Sequence, residues 1–207
     1  MIDRRRFLGG AVALAGGLVL PAVSFASTAK VGSPAPAFSL TSSTGPTVNL
    51  ADHRGKTVEL EWTNHDCPYV RKHYETQNMQ GLQKEAAGQG IVWLTIISSA
   101  PGTQGHVSAG QANELTKTRS AVPAAVLFDP TGVTGKAYGA TNTPHMYVVT
   151  RDGVLVYAGA IDDRPTSRRS DVEGAKNYVR AALAAVAAGQ PVKVPVTRAY
   201  GCTIKYA

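Results

Sequence analysis

The stretch Glu61-Trp62-Thr63-Asn64-His65-Asp66-Cys67-Pro68-Tyr69-Val70-Arg71-Lys72-His73-Tyr74 decides how this chain is read. The run Val58 to Trp62 has the makings of a buried strand, and the polar turn Thr63 to Asp66 ends it. Proline suits a first helical turn, where its missing N–H would have had no partner, so a helix is expected from Pro68. Cys67 then sits at a helix N-terminus, where unpaired N–H groups and the helix dipole favour a thiolate. A reactive sulfur is the reading that follows. The bland alternative is a buried, inert thiol.

Working outward, Phe38 to Leu40 and Val48 to Leu50 read as two short strands around the turn Ser43-Thr44-Gly45-Pro46. Helical spacing of Val70, Tyr74, Leu82 and Ala86 predicts one helix from Pro68 to Ala87, with Gly81 its weak spot. Ile91 to Ile97 holds no charge and reads as a central strand covered on both faces. A short helix from Ser108 to Ser120 precedes a strand over Ala125 to Phe128, and Val133 to Tyr138 is a turn or two of helix. His145 to Thr150 and Val154 to Ala158 flank an Asp-Gly turn, the signal of an antiparallel hairpin. Ser170-Asp171-Val172-Glu173 reads as a capping box opening a last helix with the stripe Val172, Ala175, Val179, Leu183 and Val186. Strands alternating with helices before a hairpin predict an α/β fold, a mixed sheet flanked by helices on both faces.

The chain has 207 residues, enough for one domain with a real core. Residues 1–26 read as a leader. Arg4-Arg5-Arg6-Phe7-Leu8 follows the twin-arginine pattern, Gly9 to Leu20 is apolar, and Ser24-Phe25-Ala26 is a small-x-small cleavage site. The alternative is an uncleaved anchor, but the apolar run falls short of the roughly 20 residues a span needs. Residues 27–190 form the expected domain, and residues 191–207 an extended, flexible tail carrying Cys202. Removing three arginines and Asp3 takes the formal charge from +7 to +5, with no Lys/Arg run left. With aromatics at 7%, nucleic-acid binding has no footprint here. Twin-arginine export implies a periplasmic location where disulfides persist, so the two cysteines are either one bridge or two thiols.

The strand, the turn, Cys-Pro at a helix start and a later Thr143-Pro144 opening a strand together resemble the thioredoxin fold. The resemblance runs from about Val31 to Gly189 and implies an N-terminal β-hairpin extension and a cis Pro144 beside Cys67. The opening Ser33-Pro34-Ala35-Pro36-Ala37-Phe38-Ser39-Leu40 resembles the redoxin branch: the alkyl hydroperoxide reductase and thiol-specific antioxidant proteins, and the exported thioredoxin-like reductases. Asn64-His65-Asp66-Cys67-Pro68-Tyr69-Val70 and the ending Tyr200 to Tyr206 are similar to a peroxiredoxin-like subgroup of that branch. The chain also departs from the pattern. Val70 stands where Cys-x-x-Cys sites have their second cysteine, and Asn64 and Leu60 stand where peroxiredoxins have threonine and proline.

The resemblance implies a thiol oxidoreductase in which Cys67 attacks a peroxide or a disulfide. Cys202 would resolve the product, and an external thiol donor protein would reset the pair. Thr143 and Pro144 would offer backbone to an extended thiol substrate, and Asn64 with the N–H groups after Cys67 would stabilise developing negative charge. No organic cofactor is implied. As a structural staple instead, a Cys67–Cys202 bridge closes a loop worth roughly 4–5 kcal/mol in the chain-entropy model. His65, His73, His145 and Cys67 raise a third reading, a copper-binding module, although Cu(I) prefers two sulfurs. Asp66 beside Cys67 opposes a thiolate, with Arg71 and the histidines as counterweights. Trp62 and Trp93 read as core, and Asp162-Asp163 as a solvated turn.

Overall fold

In the computed structural model, which describes residues 28–207, Val58–Trp62 is strand β3, an interior strand of a seven-stranded mixed sheet. The other strands of the sheet are β1 (Ser39–Ser42), β2 (Thr47–Asn49), β4 (Val92–Ile97), β5 (Ala125–Phe128), β7 (His145–Val149) and β8 (Leu155–Gly159). They lie in the order β2-β1-β5-β4-β3-β7-β8. β3, β4 and β5 run parallel; β7, β8 and the β1–β2 hairpin join antiparallel. A second sheet pairs β6 (Asn142–Thr143) with β9 (Cys202–Thr203). The leader expected over residues 1–26 lies outside the described residues.

Side chains alternate across the sheet, as the period of a strand requires. Val58, Leu60 and Trp62 join Leu94, Ile96 and Tyr147 on one face, closed by Tyr138, Phe38 and Ile204. Each fully buried side chain of this size contributes about 1.5–3 kcal/mol. Four helices cover the other face: α1 (Pro68–Glu75), α2 (Asn78–Gly88), α3 (Ala109–Thr118) and α5 (Tyr178–Ala187). The helix α4 (Val133–Tyr138) packs on the first face, beside the 3-10 turn Leu50–His53.

That second face contains two carboxylates, Glu59 and Glu61, both fully buried. Glu61 accepts hydrogen bonds from Tyr74 Oη (2.8 Å), Trp93 Nε1 (2.9 Å) and Thr95 Oγ1 (3.2 Å), yet burial still raises its pKa. Glu59 finds no hydrogen bond of good geometry, the Tyr147 peptide N–H offering at most a weak one. Its pKa rises well above the usual carboxylate range, first through burial and then through Glu61.

Two expected helices are revised. The helix from Pro68 is two helices, broken at Gln77, whose backbone is left-handed (φ 60°). The break is held by Gln80 Nε2, which donates to the carbonyls of Tyr74 (2.9 Å) and Arg119 (2.7 Å). Gly81, the expected weak spot, lies inside α2. The capping box at Ser170 opens only a single 3-10 turn, Arg169–Val172, because Asp171 turns back to Thr166 and Arg168. Gly174, at φ 71°, then bends the chain, and Asn177 caps α5 by accepting from Arg180 N (2.8 Å).

Candidate active site

Cys67 is the N-cap residue of α1, with Pro68 at the first helical position. The turn before it is tied by Cys67 N donating to Asn64 O (3.1 Å) and Asp66 N to Asn64 Oδ1 (2.9 Å). The first helical bond runs from Arg71 N to Cys67 O (2.9 Å), so the N–H groups of Tyr69 and Val70 precede the ladder at the sulfur's end of the helix. Cys67 has no exposed surface. Its Sγ–H donates to Thr143 O (3.1 Å), and its sulfur accepts from Cys202 N (3.4 Å).

Those contacts come from one small structure. Thr143-Pro144 is a cis peptide bond, and Thr143 in β6 pairs directly with Cys202 in β9. Asn142 Nδ2 adds a bond to Gly201 O (2.9 Å). Gly201 has φ 118°, and a Cβ there would lie 2.0 Å from Thr143 O, so glycine is needed for the two strands to close. Gly201→Ala is therefore expected to lift β9 and to speed alkylation of Cys67 in the native protein at least tenfold. A time course with iodoacetamide and mass spectrometry checks it, an unchanged rate refuting the account.

Cys67, Thr143, Pro144 and Cys202 thus converge. The Asn64 side chain makes its hydrogen bond to Asp66 N and braces the turn against Gly105, where a Cβ would lie 2.5 Å from Asn64 Cγ. Arg71 pairs with Glu75 instead of Asp66, and Asp66 takes His65 Nε2 at 3.2 Å. His145 stacks on Tyr147 (4.5 Å between centroids), and burial lowers its pKa to about 4. His73 is lowered to about 3 by burial and by Lys72. The histidines face different partners, and among the described residues no three His, Cys, Asp or Glu are grouped to hold a metal.

The tail departs most from expectation. It is extended but docked, a strap across the active end of the sheet. Val196 bridges to Ala158, and Thr197 Oγ1 accepts from Ala160 N (2.8 Å). Past Cys202, Ile204 is buried, Lys205 O accepts from Ala100 N (2.7 Å), and Tyr206 Oη donates to Ala140 O (2.7 Å). The Cys202 thiol is pushed up to about 12 by burial first, then by its hydrogen bond to Cys67. Between these anchors Tyr200 enters a polar pocket formed by Lys72, His73 and Asp162. Asp162, expected in a solvated turn, is 2% exposed. The available signal was Lys72 and His73 lying beside Val70 and Tyr74 on the helix face that packs inward.

A buried thiol at a helix start, a cis proline opposite and a central mixed sheet define a thioredoxin-fold redox protein. A family model described as Redoxin matches residues 30–177, and the chain belongs to that family. Among solved structures, an uncharacterized conserved protein from Geobacillus kaustophilus superposes with a TM-score of 0.74 at 27% identity, covering 92% of this chain and 98% of its own. A hypothetical protein from Sinorhizobium meliloti gives 0.76 at 25%, covering 87% and 97%. A candidate thiol:disulfide interchange protein DsbE from Chlorobium tepidum gives 0.52 at 25%, covering 63% and 85%. No curated protein matches the chain.

Proposed function

We propose that this redoxin is a thiol oxidoreductase that exchanges disulfides through Cys67 and Cys202. The observation that carries the reading is the pairing of Thr143 with Cys202, which holds a cysteine-bearing strand against the Cys67 sulfur. A substrate cysteine on an extended segment would use the same backbone edge. The likeness to the thiol:disulfide interchange protein of Chlorobium tepidum supports it.

The Cys67 thiolate attacks a substrate disulfide, forming a mixed disulfide and releasing one substrate thiolate. Cys202 then attacks the Cys67 sulfur, the second substrate thiolate leaves, and a Cys67–Cys202 disulfide remains. An external dithiol returns both cysteines to thiols. The order follows from the pair's electrostatics. Burial and the Cys67 sulfur hold the proton on Cys202, and conversion of Cys67 to a neutral mixed disulfide removes the second contribution when Cys202 must react. The leader pattern at residues 1–26 supports work in the periplasm, where such disulfides persist.

Peroxide is the second reading, favoured by the family. There Cys67 attacks the O–O bond, gives a sulfenic acid and releases an alcohol or water, and Cys202 displaces a second water. Against it, the described contacts of the Cys67 sulfur are backbone groups, with no guanidinium among them. Neither the copper module nor the permanent staple is needed by this geometry, and both cysteines are free thiols. Stopped-flow mixing of reduced protein with oxidised glutathione and with hydrogen peroxide separates the readings. Disulfide exchange with glutathione much faster than a free thiol's, ending in a Cys67–Cys202 disulfide by mass spectrometry, is expected. Reaction with peroxide alone assigns the second reading, and reaction with neither overturns both.

A further inference from the structure

Two residues before Cys202, the Tyr200 phenol enters a pocket built from α1 and the segment after β8. Its hydroxyl donates to Asp162 Oδ1 and accepts from His73 Nε2 (3.1 Å) and Lys72 Nζ (3.3 Å). Asn78 Nδ2 donates to His73 Nδ1 (2.8 Å), which leaves the ring proton on Nε2 and makes His73 a donor to the phenol. Lys72 Nζ also donates to Arg164 O (2.9 Å) and lies 3.8 Å from Asp162 Oδ2. The Tyr200 ring packs on Tyr69 (5.9 Å) and beneath the Lys72 ammonium (5.1 Å).

Lys72, His73 and Asp162 are each at most 2% exposed. Burying a lysine, an aspartate and a histidine together is costly, and a core would be served as well by apolar residues. Their arrangement instead matches a phenol, with two donors and one acceptor around a group that accepts twice and donates once. Only Gly201 separates Tyr200 from Cys202. Glycine is required there by the approach of Thr143 O, and it also gives the chain more rotational freedom than any other residue would. A fixed Tyr200 removes that freedom.

We infer that Tyr200, seated on Asp162, Lys72 and His73, is the positioning residue that holds Cys202 over Cys67 for closure of their disulfide. The inference rests on the proposed thiol exchange and adds the residue that governs its second step. Closure proceeds by Cys202 attacking the Cys67 sulfur of a mixed disulfide, with reduced glutathione as the leaving thiol. Its rate and equilibrium follow the effective concentration of Cys202 at that sulfur. Because the same strap covers Cys67, one latch controls both closure and access.

The test compares wild type with Tyr200→Phe, and with Asp162→Asn as a second variant of unchanged size. In reduced protein mixed with oxidised glutathione, each variant is expected to form the Cys67 mixed disulfide at least as fast as wild type. Each should close it to the Cys67–Cys202 disulfide about tenfold more slowly, and tolerate about tenfold less reduced glutathione before the disulfide reopens. In a Cys202→Ser background, Tyr200→Phe is expected to speed alkylation of Cys67 by iodoacetamide. Unchanged closure in both variants overturns the inference, as does loss of both steps together, which marks general unfolding. Wild type that never closes a Cys67–Cys202 disulfide overturns the exchange reading itself. The alkylation arm then still reports whether Tyr200 holds the strap.

Discussion

Cys67→Ser is expected to lower the rate of disulfide exchange with oxidised glutathione at least about a thousandfold, or about 4 kcal/mol of barrier. A serine hydroxyl at this position has neither the acidity nor the polarisable electrons of a thiolate. Cys202→Ser should behave differently. The first step, mixed disulfide formation on Cys67, survives, and single-turnover mass spectrometry finds one glutathione attached to Cys67. Turnover stops there, because the sulfur that would displace glutathione is gone. The contrast depends on the ordering set by the pair, in which Cys202 retains its proton while Cys67 attacks. Equal loss of the first step in both variants would reverse or abolish that order.

Glu59→Leu is expected to stabilise the protein, by an amount that grows with pH. At pH 4 the carboxyl is largely neutral in folded and unfolded chains, and the gain is that of removing an unbonded buried polar group, about 1–3 kcal/mol. The folded-state pKa of Glu59 is raised by burial and by Glu61. Its favourable contribution is therefore complete below the unfolded value near 4.5 and is lost as pH rises toward the folded one. Over that window the wild type loses up to about 1.4 kcal/mol per pH unit that the variant keeps. His73 and His145, held neutral by burial, act in the opposite direction but are present in both proteins. Urea unfolding of both at pH 4, 6 and 8 measures the difference. A gap that stays flat, or a variant less stable at pH 8, would refute the description of Glu59 as an unpartnered acid.

Much of this architecture was legible because it rests on local patterns. The uncharged run before Ser98 becomes β4, Ala125–Phe128 is β5, Val133–Tyr138 is α4, and the Asp-Gly turn joins β7 to β8. Cys67 and Thr143-Pro144 were legible as a pair only through the family resemblance, since nothing in their own spacing brings them together. The misreadings share a cause in long-range contacts. Gln77 breaks the helix after Pro68 because Gln80 can satisfy carbonyls from two elements, one of them at Arg119. Asp162 is polar and flanked by charge, and only the arrival of Tyr200 from the far end of the chain explains its burial. The tail reads as flexible from sequence because its anchors, Thr197, Ile204 and Tyr206, are single residues without periodicity.

The two acids of β3 have a consequence away from the native state. Once unfolded, Glu59 and Glu61 regain water and ionise, leaving two charges in the five residues Val58–Trp62. Stacking copies of that segment into a fibril would repeat each carboxylate about every 4.8 Å, a ladder of like charges. Strand β3 is thus a poor seed for aggregation. Its neighbour Val92–Ile97 carries no such charge, and chains caught partly folded would adhere through that segment first.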